Sequence, residues 1–315
     1  MDRHSSEKDS TVNASIDIGT NTTLLLIATK DGQYLNILEE QQQVPRLGAG
    51  VDDSKELSKE AMQRVLESLK EFQEIVKINY PEVSDIFVTA TSAVRDAKNR
   101  ADFINLVEQE TGLQIQILSG VEEAEYTFLG AQSVLDNIGG QQMIIDIGGG
   151  STEIAYGEEE LEDRYSYNMG CVRFTERFLK SNPPTDLQIQ KCRNEIQRVL
   201  GEYYFNITNE TTLVGVAGTV TSLAFIDLEL SFYDSELLAG HIITKERLEN
   251  YIERFRDYTS KKIEQKYPTV MKGRGDIFFA GLLILDEFMT EYHFDKLVTS
   301  TGGIRHGTIL ANRTK

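Results

Sequence analysis

The stretch that decides the fold is MIIDIGGGSTEIAYG, residues 143–157. An apolar segment reaches Asp146, three consecutive glycines follow at residues 148–150, and a second strand-like segment carries Glu153. A shorter version, SIDIGTNTTLLLIAT, occupies residues 15–29. Each version places an aspartate near the end of an apolar strand and a glycine-containing turn directly after it. The pair therefore predicts two related hairpins, one in each half of the chain.

Each half is predicted to begin with three strands in a meander and to continue with alternating helices and strands. Ser58 is the expected N-cap of a helix that runs to residue 79, and Gly112 is the expected C-cap of a helix ending at residue 111. Mixed sheets covered by helices follow from this order. The predicted strands are residues 12–18, 22–29, 34–40, 85–91 and 114–118, then 142–147, 152–156, 164–168, and strands beginning at 212 and 296. Helices in the second half are predicted at residues 172–181, 186–204, 245–260 and 276–292, with a closing helix after the last strand.

Composition indicates an ordinary globular protein. The 315 residues are 40% hydrophobic and 26% charged, and no apolar run reaches the roughly 18 residues that span a bilayer. The opening MDRHSSEKDSTV has no apolar core, so we expect a disordered tail at residues 1–11 and a cytoplasmic protein. The two cysteines, Cys171 and Cys192, lack metal-ligand spacing and are expected to be free thiols.

The net charge of the chain disfavours some classes of binding partner. Acidic residues outnumber basic residues 50 to 32, which gives a formal net charge of −18. Such a surface repels duplex nucleic acid and anionic membranes, so neither is an expected partner. A smaller polyanion remains compatible if it arrives with divalent cations and is held by backbone amides.

The two glycine turns have the chemistry of a phosphate site. Glycine lets a ligand approach the main chain, and successive amide N–H groups in such a turn form an anion-binding concavity. Side-chain donors at Thr20, Asn21, Ser151 and Thr152 could add to it. The aspartates suit a hard cation such as Mg²⁺ that also contacts the phosphate oxygens. Two further small-residue turns, AGTVTSL at 217–223 and STGGIRHG at 300–307, strengthen the prediction of a phosphate site between two lobes.

This arrangement resembles the actin, Hsp70 and sugar-kinase superfamily, and more narrowly the exopolyphosphatase and guanosine pentaphosphate phosphatase family. Eight segments carry the narrower resemblance in order: DIGTNTTLLLIA, GAGVDDSKELSKEAMQRVLESLKEF, TSAVRDAKN, ILSGVEEAEYTFLGA, DIGGGSTEI, NMGCVRFTERFL, AGTVTSLA and KGRGDIFFAGLLIL. The resemblance implies two ribonuclease H-like lobes with a cleft between them, each a mixed five-stranded sheet flanked by helices. The N-terminal lobe would span residues 12–130 and the C-terminal lobe residues 131–302. The helix at about 303–315 is expected to pack back on the first lobe.

The resemblance also implies catalytic roles. The second glutamate of the Glu-Glu-Ala segment, Glu123, would be the general base that activates water, while Glu122 and Glu125 remain alternatives on the sequence alone. Arg95 would contact the transferring phosphoryl group. Asp17, Asp146 and Glu153 would be ligands of Mg²⁺ or Mn²⁺. The implied phosphate-binding residues are Gly19, Thr20, Asn21, Gly148, Gly149, Gly150, Ser151, Gly218 and Thr219.

The implied substrates are inorganic polyphosphate or guanosine penta- and tetraphosphates. Longer members of the family add a C-terminal helical domain, so the resemblance is to a short two-domain form with reduced processivity, and a homodimer is the expected assembly. Two rival interpretations are a sugar or acetate kinase of the same superfamily and a guanosine tetraphosphate sensor without turnover. Five basic residues are candidates for a polyphosphate path: Arg46, Arg173, Lys272, Arg274 and Arg305.

Overall fold

The computed structural model describes residues 11–32, 34–135 and 138–312 of the chain. The predicted disordered tail concerns residues 1–11, of which residues 1–10 lie outside the described residues. Within the described ranges the chain forms two α/β lobes, each a mixed sheet with helices packed on it.

The first lobe is built on a meander that continues as parallel strands. Within the described residues its sheet has five strands in the order β3-β2-β1-β4-β5; β1, β2 and β3 are antiparallel neighbours, and β4 and β5 run parallel to β1. The strands are β1 (Val12–Ile18), β2 (Thr23–Asp31), β3 (Tyr34–Gln43), β4 (Asp85–Ala90) and β5 (Ile115–Ile117). Its helices are α1 (Val51–Ser54), α2 (Lys59–Asn79), α3 (Ser92–Asp96) and α4 (Arg100–Thr111). The next helix, α5 (Gly120–Ser133), packs on the sheet of the second lobe, where Phe128 joins a cluster with Ile144 and Val214.

Both predicted helix caps of this lobe are confirmed. The Ser58 side chain accepts a hydrogen bond from the Ala61 N–H at the start of α2. Gly112 ends α4 with φ of 72°, the left-handed conformation that glycine adopts at no steric cost. The amphipathic face of α2 then buries Leu69 and Phe72 in the core of the lobe.

The second lobe repeats the meander but carries one strand more than expected. Its described strands form a six-stranded sheet in the order β10-β11-β9-β6-β7-β8, so the prediction of five strands is wrong for this lobe. The strands are β6 (Gln142–Ile147), β7 (Thr152–Gly157), β8 (Leu161–Tyr167), β9 (Thr212–Val216), β10 (Ile242–Thr244) and β11 (Lys296–Thr299). The extra strand, β10, is a three-residue edge strand antiparallel to β11. It is too short to show the alternation by which a strand is predicted from sequence.

Helices of the second lobe also depart from the predictions at their ends. The helix predicted at residues 245–260 ends at Phe255. A separate helix begins at Ser260, where the Thr259 side chain accepts a hydrogen bond from the Lys262 N–H. The helices are α6 (Cys171–Phe178), α7 (Asp186–Leu200), α8 (Ala217–Asp227), α9 (Ser235–Leu238), α10 (Lys245–Phe255), α11 (Ser260–Lys266), α12 (Pro268–Met271), α13 (Phe278–Glu291) and α14 (Ile304–Ala311).

The core of the second lobe centres on α13, whose residues are buried from Phe278 through Met289. Cys171 and Cys192 are buried and unbonded in the same core, which confirms the prediction of free thiols. None of the helices in the described ranges combines the length and the apolar composition needed to cross a membrane.

The helix α14 returns to the first lobe and crosses α5 at very short range. Ile309 packs with Leu26 of β2 in a small cluster on the sheet of the first lobe. At the crossing, a Cβ atom on Gly130 would lie 2.0 Å from the carbonyl oxygen of Gly303, and a Cβ atom on Gly307 would lie 1.9 Å from that of Tyr126. The backbones therefore touch where side chains have no space.

A buried arginine of α6 joins the lobes on the side of α1 and α3. Arg173 donates hydrogen bonds of 2.6 Å to the Gly150 carbonyl oxygen, to Asp52 Oδ1 and to Asp96 Oδ2. Asp52 also accepts from Arg177. Arg173 is fully engaged in this contact and lies outside the lining of the interlobe cavity, so it is an interlobe clamp and its position does not support its candidacy for a polyphosphate path.

The crossing of α5 and α14 predicts that Gly130→Ala is destabilising. The added methyl group would overlap the Gly303 backbone, and overpacking of this kind costs about 1–3 kcal/mol of unfolding free energy. Gly139→Ala is the matched control, because a Cβ atom there meets nothing within 4 Å. Denaturant unfolding of both variants tests the constraint. Equal unfolding midpoints would show that the crossing can relax.

Candidate active site

A cavity of about 500 Å³ lies between the two lobes. Both glycine hairpins, the first turn of α5, the first turn of α8 and the segment between β11 and α14 form its walls. Twelve of the residues predicted for the site line it: Asp17, Gly19, Thr20, Asn21, Glu123, Asp146, Gly148, Gly149, Ser151, Glu153, Gly218 and Thr219. Two predicted residues, Arg95 and Gly150, lie outside this lining.

The two hairpins have the same local geometry. The Gly19 N–H donates to the Thr22 carbonyl oxygen at 2.9 Å, and the Gly148 N–H donates to the Ser151 carbonyl oxygen at 3.0 Å. A Cβ atom on Gly149 would lie 2.6 Å from Cβ of Thr20 in the opposite hairpin. The hairpins of the two lobes therefore meet tip to tip at the base of the cleft.

Gly150 serves the junction between the lobes. A Cβ atom there would lie 2.7 Å from Oγ of Ser92, and its carbonyl oxygen accepts the Arg173 hydrogen bond. The third glycine of the GGG run is explained by this close packing, and its predicted contact with phosphate is not supported by its position.

Four acidic side chains are buried along the cleft. Asp17 and Asp146 come from the matching strands β1 and β6, Glu153 is the register partner of Asp146 on β7, and Glu123 lies in the first turn of α5. Burial raises the pKa of Asp17 to about 7 and that of Asp146 to about 6. Burial, with the nearby charge of Asp146, raises the pKa of Glu153 to about 7.

Three of these carboxylates suit a divalent cation shared with a phosphate ligand. Asp17, Asp146 and Glu153 accept hydrogen bonds only from hydroxyl groups, such as Thr127 to Asp146 at 3.2 Å, and none forms a salt bridge among the described residues. The described ranges hold no group of three or more side chains already arranged as metal ligands. Mg²⁺ often takes only one or two protein carboxylates and completes its shell with water and phosphate, so this donor set fits Mg²⁺ or Mn²⁺.

The structure separates the three glutamates that the sequence left as alternatives. Glu122 closes a capping box, since its Oε2 accepts from the Ser119 N–H at 2.7 Å, and this bond lowers its pKa. Glu125 pairs with Arg164 at 2.8 Å. Glu123 is 3% exposed and is the one of the three that lines the cleft. Burial and the charge of Glu153 hold the pKa of Glu123 well above its ordinary value.

Arg95 lies behind Glu123 and contacts it directly. It donates to Glu123 Oε1 and to the Leu118 carbonyl oxygen, the latter at 2.9 Å. In this arrangement Arg95 fixes the orientation of Glu123 through Nη1, which makes both hydrogen bonds, and its contact with a phosphoryl group stays a prediction.

The basic residues considered for a polyphosphate path differ in whether they have an acidic partner. Arg274 lines the cleft with its guanidinium against Gly218, where a Cβ atom would lie 1.5 Å from Nη2, and its side chain has no hydrogen bond or ion pair among the described residues. Burial lowers the pKa of Arg274. Arg305 also lines the cleft but donates to Glu40 at 3.1 Å and to a backbone carbonyl group. Arg46 pairs with Asp276 outside the lining of the cleft.

Sequence reasoning missed several wall residues. Glu40, Gln41 and Gln42 line the cleft because β3 continues to Gln43, beyond its predicted end at residue 40. The polar run EEQQQ in the sequence could have indicated a strand facing a wet cleft. Tyr233 reaches the cleft from the α8–α9 connection, and nothing in its local sequence indicates that position.

Known proteins resemble the chain in both sequence and fold. The profile of the Ppx/GppA phosphatase family matches residues 26–315. Exopolyphosphatase 2 of Mycobacterium tuberculosis is 31% identical to the chain, over 95% of this chain and 97% of its own length. A solved exopolyphosphatase-like protein superposes with a TM-score of 0.90 at 29% identity, covering 96% of this chain and 98% of its own.

A crystal structure of the Aquifex aeolicus member of the Ppx/GppA family superposes with a TM-score of 0.80 at 27% identity, covering 96% of this chain and 97% of its own. The sequence matches and the superpositions thus extend over nearly the whole chain and both lobes. On these grounds the chain belongs to the Ppx/GppA phosphatase family.

Proposed function

We propose that this chain is an exopolyphosphatase that releases the terminal phosphate of inorganic polyphosphate by metal-assisted attack of water. Its family and its named exopolyphosphatase relatives make it a phosphoric anhydride hydrolase. The observation that carries the proposal is the position of Glu123, a buried carboxylate of raised pKa facing a cleft walled by two glycine hairpins.

In the proposed reaction Glu123 accepts a proton from water. One of its oxygens pairs with Arg95, while the other has no hydrogen bond among the described residues and is available for the proton. The water oxygen forms a bond to the terminal phosphorus, the bridging P–O bond breaks, and the shortened polyphosphate leaves with the electron pair of that bond. The raised pKa suits this role, because a general base works best when its pKa lies near the working pH.

The hairpins would bind and orient the phosphoryl group. Amide groups around Gly19 and Gly148, together with the hydroxyl groups of Thr20 and Ser151, are the donors available to equatorial oxygens. Asp17, Asp146 and Glu153 would hold Mg²⁺ or Mn²⁺, which when bound supplies charge neutralisation for the phosphate oxygens.

A second candidate reaction, removal of the 5′-terminal phosphate of guanosine pentaphosphate, is favoured by one wall of the cleft. This wall is apolar because it is formed by Val270, Met271, Ile277 and Phe278, and the aromatic side chain of Tyr233 also lines the cleft. An apolar and aromatic surface suits a nucleoside and offers little to a bare phosphate chain.

The two candidates are separated by parallel phosphate-release assays on polyphosphates of defined length and on guanosine pentaphosphate. The proposal expects the higher kcat/KM on polyphosphate, and a reversed preference would select the second candidate. Phosphate appearing on an acceptor hydroxyl would instead identify a kinase. Measurable binding of guanosine tetraphosphate with no product from any substrate would identify a sensor.

Glu123→Gln is expected to lower kcat by about 10²-fold or more, because the amide cannot accept the proton. Glu122→Gln is the matched control, since glutamine preserves the capping box and residue 122 is outside the cleft lining. Steady-state phosphate release from both variants checks the assignment. Near-wild-type turnover by Glu123→Gln would remove Glu123 from the mechanism.

Removal of divalent metal is expected to abolish turnover. Three buried carboxylates and a net charge of −18 oppose binding of a polyanion unless a cation neutralises them. Activity is measured in excess chelator and again after Mg²⁺ or Mn²⁺ is restored. Full activity in chelator would refute the metal role.

A further inference from the structure

One segment of the second lobe carries a net positive charge, opposite in sign to the net charge of the whole chain. Residues 254–274 contain seven lysines and arginines and only two acidic residues, Asp257 and Glu264, whereas the whole chain has 50 acidic and 32 basic residues. The segment covers the end of α10, all of α11 and α12, and the loop before α13. We name it the basic ridge.

The lysines of the basic ridge are exposed and have no acidic partner. Lys261, Lys262, Lys266 and Lys272 are all solvent-exposed, and none has a carboxylate within 4 Å in the described ranges of the chain. One of the two acidic residues of the ridge, Glu264, is turned to the backbone, where its Oε1 accepts from the Gly273 N–H at 3.1 Å. The positive charge of these four lysines therefore faces solvent without a paired carboxylate, whereas Arg256 of the ridge is paired with Asp186 and Glu253.

Several cations of the ridge converge on a single aromatic ring. The ammonium group of Lys262 lies 3.5 Å from the ring centroid of Tyr258, and that of Lys266 lies 5.7 Å from it. A hydrogen bond from Arg254, with the charges of the two lysines, lowers the pKa of Tyr258. A phenol whose ionised form is favoured in this way indicates a local positive potential.

The basic ridge is continuous with the cleft. Thr269, Val270, Met271 and Arg274 belong to it and also line the cavity, and Lys272 lies exposed between the last two of them. Residues 273–275 pack against the start of α11, since a Cβ atom on Gly275 would lie 2.5 Å from the Ser260 carbonyl oxygen. An anionic chain leaving the cleft past Arg274 would pass Lys272 and then the lysines of α11.

We propose that the basic ridge binds the part of a polyphosphate chain that extends out of the cleft, beyond the phosphates at the reaction centre. This inference rests on the proposed function for its ligand. A polyphosphate chain carries about one negative charge per phosphate unit, so a row of unpaired lysines gains one favourable contact after another along it, as basic proteins do along a nucleic-acid backbone. Tripolyphosphate, with only three phosphate units, serves as the short-chain reference.

The test compares Lys262→Gln/Lys266→Gln with Lys59→Gln/Lys77→Gln. The control pair removes the same charge from exposed lysines of α2, which also lack a carboxylate partner among the described residues. For the ridge variant, the ratio of KM on long-chain polyphosphate to KM on tripolyphosphate is expected to rise roughly tenfold, because two phosphate contacts are lost. For the control variant the ratio is expected to stay at the wild-type value. Added salt is expected to raise this KM ratio for the wild type and to change the KM ratio of the ridge variant less, because salt screens the charges of the lysines.

Equilibrium binding of the same two polyphosphates to wild type and both variants separates this inference from the proposed function. A wild type that binds long chains through the ridge but releases no phosphate would refute the exopolyphosphatase proposal and leave the ridge intact. Turnover of long chains with an unchanged KM ratio in the ridge variant would overturn the ridge alone. An equal rise of the ratio in both variants would show that only net charge matters, and this too would overturn it.

Discussion

The structure depends on the contact of two lobes through backbone that has no room for side chains. Gly149 and Gly150 meet Thr20 and Ser92 at the tips of the hairpins, and α5 crosses α14 at Gly130. This approach brings the carboxylate-bearing strand ends of both sheets to one cleft. The Arg173 clamp adds an ionic tie that also uses the third glycine of the GGG run. The cleft is therefore shaped by main-chain packing, and its polar side chains can serve a ligand.

The same contact places four acidic groups out of water. Burial raises the pKa of each, and the charge of one raises that of its neighbour. An isolated cluster of this kind opposes a phosphate ligand, whereas a cluster that holds a divalent cation attracts one. The proposed cation would make the acidic composition consistent with a phosphate substrate.

Some arginines near the contact between the lobes have structural roles and one is available to an anionic ligand, and the difference lies in their hydrogen-bond partners. Arg173 is saturated by two carboxylates and a backbone carbonyl group and holds the lobes together. Arg95 orients Glu123 through one guanidinium nitrogen, which also donates to a backbone carbonyl group. Arg274 lines the cleft without a hydrogen-bonded partner among the described residues. The exposed lysines of the basic ridge form a positive surface on an otherwise acidic protein. The positive charge available to an anion is thus concentrated on one side of the cleft.

The sequence by itself determined the two hairpins, their place at the strand ends, both caps of the first lobe and most of the helices and strands. These follow from local patterns of apolar spacing, glycine and capping residues, which act over a few neighbours in the chain. Only the tertiary structure decided which of Glu122, Glu123 and Glu125 faces the cleft, that Arg173 is a clamp, and that β10 adds a sixth strand. Those outcomes depend on contacts between residues far apart in sequence, such as Arg173 with Asp52, and a local pattern carries no information about such partners.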